Sequence, residues 1–319
     1  MSSIFTIGES HEPVKIPNKS GFVETFGPNP PAPKKKKRKP RFNKLRSNKG
    51  FYISTTNSNL LTAAKIVAEK KGVSVVYVVG PSGWGKTRLG YEYARQIDYN
   101  VVYVPATSVM EQEEWFGVRH VENDETVFRH TEFANALTKG KTVIIIDELS
   151  RVAPFILNPL LSLMHDEGEF TVHNETFRPA KDTIFFITAN IGSEYVGTYE
   201  LDVALESRLT VQLEVGEMPI TNEFKITKSQ VGCMDEVAEV AVKLIRYARE
   251  HNLTMRDVSP RATIKTATLL DTGLPVKFVI SQLANTIEDM GDRKSFIDYT
   301  KSSEFKESVI EEMLADDDD

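Results

Sequence analysis

Eight residues, Gly80-Pro81-Ser82-Gly83-Trp84-Gly85-Lys86-Thr87, fit the pattern G-x-x-x-x-G-K-S/T and close an apolar run, "VSVVYVV". Glycines at such spacing let backbone N–H groups turn toward a β-phosphate, and the positive end of the following helix adds attraction. Lys86 is placed to reach β- and γ-phosphate oxygens, and Thr87 to offer its hydroxyl to Mg2+. Arg88, the next residue, belongs to the same expected binding set. Further along, "VIIIDE" ends in Asp147 and Glu148. Asp147 is expected to hold the Mg2+ through its water shell. Glu148 is expected to orient and activate the attacking water, close to the γ-phosphate but off the metal. "FFITAN" then puts Asn190 at the C-terminal end of a strand, the edge where ligands collect in open α/β sheets. An amide there can hydrogen-bond both water and γ-phosphate. The set predicts binding of ATP with Mg2+, and its hydrolysis.

Such residues need a sheet edge to hold them. Short, β-branched apolar runs at 73–80, 100–106, 141–148, 182–190 and 209–215 read as strands, most of them buried on both faces. Helix-length segments lie between them at 88–96, 133–139 and 154–165. Another helix precedes them at 56–72, with Leu60, Leu61, Ala64, Ile66, Val67 and Ala68 on a broad face and Gly72 as its stop. Five strands alternating with helices predict an α/β fold: a P-loop NTPase αβα sandwich around a five-stranded parallel sheet. Past Gly216, segments 234–252, 259–273, 275–287 and 302–315 read as helices, so a small all-α unit follows. The expected organisation is a flexible basic arm over 1–50, a nucleotide-binding core over 51–216, and a helical unit over 217–319 ending in four aspartates.

Charge is distributed unevenly. Residues 1–50 hold twelve Lys/Arg and three Glu, while the other 269 residues hold 27 Lys/Arg and 42 Asp/Glu. The arm centres on Lys34, Lys35, Lys36, Lys37, Arg38, Lys39 and Arg41. That run suits nucleic-acid phosphates, with affinity falling steeply in salt, or an acidic protein surface, or nuclear import in a eukaryotic host. The single cysteine, Cys233, excludes an internal disulfide framework and a Cys-based zinc site. No stretch reads as a transmembrane helix and the N-terminus lacks the apolar core of a signal peptide, so a cytosolic location is expected. His165 and His173 bracket a short segment and read as polar loop residues rather than metal ligands.

In their order, the Gly80–Thr87 loop, Asp147 and Glu148, Asn190, "GTYELDVALESRL" and "SPRA" resemble an AAA+ ATPase. More narrowly they resemble the MoxR-type branch, with CbbQ, NorQ, GvpN and the cobaltochelatase subunit CobS, over roughly residues 51–290. The resemblance implies that Asn190 is the sensor-1 residue and that Arg208 is the arginine finger reaching a neighbouring subunit's γ-phosphate. It also makes Arg261 the sensor-2 arginine of a helical lid. A guanidinium in such a place stabilises charge on the transferring phosphoryl group. It further implies a head-to-tail ring, most often a hexamer, and a partner bearing a von Willebrand A domain on a separate chain. Segments 112–130 and 168–179 match insertions of that branch and read as hairpins, which in the family face the ring's pore. Three features depart from the pattern: "DELSR" stands where Asp-Glu-Ile-Asn-Arg is usual, leaving Arg151 without its family role, the lid after Thr272 matches weakly, and the basic arm has no family counterpart. The functions in view are therefore an ATP-driven remodeller of a partner protein or complex, chelatase-like remodelling included, or a nucleic-acid motor or loader using the arm. A scaffold that binds ATP without turning it over would have no need of Glu148, Asn190 and Arg208 together.

Overall fold

The structure is a computed structural model, and it describes residues 45–48, 50–122, 125–165, 167–190 and 203–306. Helix α1 (Thr55–Lys71) leads into β1 (Val73–Gly80), α2 (Lys86–Ile97) and β2 (Asn100–Pro105). A hairpin of β3 (Gly117–Glu122) and β4 (Glu125–His130) follows, then α3 (Glu132–Leu137), β5 (Thr142–Asp147) and α4 (Asn158–Leu163). A second hairpin, β6 (Phe170–Val172) and β7 (Glu175–Phe177), precedes β8 (Thr183–Asn190), the short α5 (Val203–Glu206) and β9 (Val211–Glu214). Six helices complete the described chain: α6 (Ile220–Val231), α7 (Asp235–Glu250), α8 (Pro260–Asp271), α9 (Val276–Ala284), α10 (Met290–Tyr299) and α11 (Ser303–Lys306).

The five expected strands form one sheet in the order β2-β5-β8-β1-β9, with every neighbouring pair parallel. β1 and β8 are buried along their whole length, which is why both read as unbroken apolar runs rather than alternating ones. Val76, Val78, Ile145 and Phe186 face α1 and α2, where Leu61, Leu89 and Tyr93 close one core. Val75, Val79, Ile144 and Phe185 face the other way, onto Trp115, Phe133, Leu137 and Leu160. The register aligns Gly80 with Asn190, and Pro105 with Asp147. The C-terminal ends of four strands therefore converge on one edge.

Three expectations are corrected in detail. Segment 154–165 is not one helix, because a 3-10 turn at Pro154–Leu157 precedes α4. Pro159 has no N–H for the carbonyl of Phe155, and the side chain of Gln112 donates to that carbonyl instead, at 2.6 Å. Residues 45–48 do not belong to a free arm: Leu45 is buried in the α1–α2 core, and its carbonyl accepts from Ser58 Oγ at 2.8 Å. The remainder of the expected arm, with Lys34 to Arg41, lies outside the described residues. Helices α6 and α10 have no counterpart in the sequence reading, since "ITNEFKITKSQV" and "MGDRKSFIDY" carry too few apolar residues to show a face. Among the described residues, no helix is long and apolar enough to cross a membrane.

A single buried carboxylate ties α6 to its neighbours, beside the apolar packing of Phe224 and Val231. Glu223 is 1% exposed and accepts from Arg246 Nε at 3.0 Å, from Arg249 Nη1 and Nη2 at 3.0 Å each, and from Thr263 Oγ1 at 2.7 Å. It thus joins α6 to α7 and α8. Burial alone would push the Glu223 carboxyl up, but the hydrogen bonds from Arg249, Thr263 and Arg246, with the charge of Arg249, hold it below its usual 4.5. A depressed carboxyl contributes stability above the ordinary glutamate range and loses it as pH falls through the folded value. Urea unfolding at pH 7 should therefore show Glu223→Ala destabilised by roughly 3–5 kcal/mol, since the buried Arg249 is left without a carboxylate partner. Below pH 4.5 the difference between variant and parent should shrink.

Candidate nucleotide-binding site

The loop after β1 is shaped by its glycines. Gly83 and Gly85 have φ of +82° and +85°, in the left-handed region that residues with a Cβ seldom adopt. Gly85 is also the N-cap of α2 and supplies no side-chain cap, so the first N–H groups of the helix remain open to an anion. At Gly83 a Cβ would lie 2.3 Å from Ser259 Oγ, so only glycine allows the start of α8 to sit on the loop.

Lys86 opens α2 and is 7% exposed. Its Nζ donates to Gly80 O and Pro81 O at 2.8 Å and to Asn190 Oδ1 at 2.7 Å. Burial lowers its ammonium to about 8, with Arg261 adding to the shift while Asp147 and Glu148 oppose it. Across the cleft, Asp147 Oδ1 accepts from Thr87 Oγ1 at 2.8 Å and from Thr188 Oγ1 at 2.5 Å, and its Oδ2 accepts from Tyr103 OH at 3.1 Å. Glu148 takes a left-handed φ of +57°, which turns it away from the strand direction of Asp147. Its N–H donates to Thr188 Oγ1 at 3.1 Å, and Oε1 accepts from Asn190 Nδ2 at 3.3 Å. Asn190 thus bridges the lysine and the second carboxylate.

These groups line a cleft of about 490 Å³, a volume within the range that holds small-molecule cofactors. Lys86, Thr87, Asp147, Glu148, Asn190 and Arg261 are on its walls, with Ser82, Gly83, Trp84, Gly85 and Arg88. Pro81 contributes its carbonyl to Lys86, and Arg88 pairs with Glu92 at 3.6 Å. A hydroxyl beside a carboxylate, next to open helix N–H groups and a lysine, is a donor set that suits a nucleotide's phosphates and a hard divalent cation.

Arg208 is the exception. It is absent from the cleft lining, and its guanidinium donates to its own chain, to Leu161 O at 2.8 Å and to Ala204 O. Arg151 stands 3.3 Å from Glu148 Oε2, a contact that the departure at "DELSR" had left open. Both expected hairpins are present, and they are cross-linked. Arg119 Nη2 lies 2.7 Å from His173 Nδ1, His173 Nε2 2.7 Å from Glu113, and His130 Nε2 2.7 Å from Glu175. Thr188 and Tyr103 are site residues that the sequence reading missed. Thr188 had a signal, since residues two apart on a strand share a face and Asn190 was already assigned. Tyr103 had none, because only the pairing of β2 with β5 brings it to Asp147.

Residues 75–209 match the AAA domain of the dynein-related subfamily. BssE of Thauera aromatica, a protein named as a chaperone, is 26% identical over 74% of this chain and 82% of its own. The gas vesicle ATPase GvpN2 of Halobacterium salinarum is 27% identical over 76% of this chain and 74% of its own. Residues 75–209 thus carry an AAA+ ATPase domain, and the chain is similar to proteins of the MoxR-like branch. Among solved structures, the RuvB Holliday junction branch migration motor of Thermotoga maritima aligns with a TM-score of 0.45 and 19% identity, over 77% of this chain and 70% of that one.

Within the AAA+ site, the Thr188 hydroxyl ties the Asp147 carboxylate to the backbone N–H of Glu148. Thr188→Val keeps the branched shape and removes that bridge. It should lower kcat for ATP hydrolysis by on the order of 10- to 100-fold, as loss of an orienting partner does elsewhere. ADP affinity should stay within about threefold by calorimetry, because the Thr188 hydroxyl bonds Asp147 and Glu148 rather than the phosphate loop.

Proposed function

We propose that this chain is an ATP-driven remodelling ATPase whose active sites are completed between subunits of a ring, and that it acts on a partner protein or protein complex. The observation that carries the reading is the contrast between two arginines: Arg261 lines the cleft, whereas Arg208 is held by carbonyls of its own chain away from it. Lys86 would bind the β- and γ-phosphates, exchanging its contacts to Gly80, Pro81 and Asn190 for phosphate oxygens. Thr87 and Asp147 would hold Mg2+, which when bound neutralises charge on those oxygens. Glu148, turned off the metal side and steadied by Asn190, would take the proton of the attacking water. Arg208 would supply its guanidinium to a neighbour's γ-phosphate, and Arg261 would act from the helical side. A head-to-tail interface that repeats around an axis closes into a ring, here taken as a hexamer.

Action on proteins is supported by the relatives' own names, which include a chaperone, a gas vesicle ATPase and mitochondrial disaggregases. A von Willebrand A domain partner on a separate chain, or a chelatase complex, would fit the branch. The acidic balance outside the first 50 residues gives a basic partner surface a favourable approach. A second reading, a nucleic-acid motor, draws on the twelve Lys/Arg of residues 1–50. Removing residues 1–42, which spares Leu45, would abolish DNA-stimulated turnover only under that reading.

Mixing subunits tests the first. Arg208→Ala alone should lose at least about a thousandfold in turnover, the scale of an arginine finger. Lys86→Ala alone should bind ATP poorly and be inactive. Mixed assemblies should recover turnover, because each variant retains the half that the other lacks. Mixtures as dead as either parent would contradict a site shared between subunits.

A further inference from the structure

The phosphate loop carries an aromatic residue at a position where its motif asks for no particular type. Trp84 is half-buried, and the guanidinium of Arg249 from α7 stands 4.8 Å from its ring centroid. That arginine is not a mobile surface group. Its side chain is 7% exposed, its Nη1 and Nη2 both bond the Glu223 carboxylate at 3.0 Å, and its Nε donates to Val258 O at 2.8 Å. Three directional bonds fix the plane of the guanidinium, and a planar cation fixed over an indole is a strong form of the cation–π contact. One residue earlier the loop meets the same helical region again, at Gly83 against Ser259, whose buried hydroxyl has no hydrogen-bond partner.

The carboxylate behind Arg249 also reaches the rest of the cleft. Thr263, which donates to Glu223, lies two residues beyond Arg261 on α8. Arg246, its third partner, donates to the carbonyl of Met218 on the cleft wall. The loop, the α8 arginine and that wall are thus referred to one buried anchor.

We propose that Arg249 is a positioning residue of the ATPase site: locked by Glu223, it braces the Trp84 indole and so holds the phosphate loop in the shape that binds nucleotide. The helices past Gly216 then grip the phosphate loop directly, and nucleotide affinity depends on that grip. This rests on the nucleotide-site reading above and adds to it a residue that touches neither phosphate nor metal.

The test is calorimetric titration of ADP into the full chain, its Trp84→Ala, Trp84→Phe and Arg249→Lys variants, and the Trp84→Ala/Arg249→Lys double variant. Arg249→Lys keeps a cation for Glu223 but loses the planar face. Trp84→Ala and Arg249→Lys should each weaken ADP binding by about five- to tenfold. The double variant should be no weaker than the worse single one, because both remove the same contact. Trp84→Phe, which restores an aromatic face, should recover to within about twofold of the parent. ADP binding by Trp84→Ala equal to the parent's would overturn the proposal, as would losses that multiply in the double variant. If Arg249→Lys fails to fold, Trp84→Ala against Trp84→Phe decides alone, since both changes lie in a loop. A parent chain that binds no ADP would overturn the nucleotide reading itself, a result distinct from an indifferent Trp84→Ala.

Discussion

The site is organised around a buried ammonium that touches no carboxylate. Lys86 is held by two main-chain carbonyls and one side-chain amide, all neutral, while Asp147 and Glu148 act on it only through space. Burying a cation on such terms is costly, which is why its ammonium is lowered to about 8. An incoming phosphate offsets that cost by giving the charge a partner. The sheet register is what makes this possible, because it aligns Gly80 with Asn190 and places β5 beside β8, so that one amide can reach both Lys86 and Glu148.

Much of this was legible before any coordinates. The phosphate loop is contiguous in sequence, and its glycines, lysine and threonine have fixed spacing. The acidic pair and Asn190 each end an apolar run, so their place at a strand's C-terminal end follows from the runs themselves. Thr188 and Tyr103 come from relations between strands, which no single segment displays. Helices α6 and α10 were invisible for a different reason: their faces are sparse, and α6 adds the buried Glu223 to a few apolar contacts such as Phe224 and Ile226. The burial of Leu45 was hidden by its neighbours, since a stretch rich in lysine and asparagine gives no sign that one leucine in it is anchored.

The structure also separates two kinds of arginine that the sequence could not tell apart. Arg246 and Arg249 both bond Glu223, give their other donors to carbonyls and Glu250, and serve the architecture of the cleft. Arg261 faces the cleft itself. Arg208 is tied to Leu161 and Ala204, contacts that water or a neighbouring subunit's phosphate could replace at small cost. Under the proposed function, Arg208 would be the finger, turned away from its own cleft, and the subunit would need another copy of itself.

The most direct measurement is ATP turnover per subunit as a function of protein concentration. The account predicts a rate that is low when dilute, rises steeply as subunits associate and then levels off. A rate per subunit independent of concentration, for a chain that stays monomeric throughout by sedimentation, would contradict it.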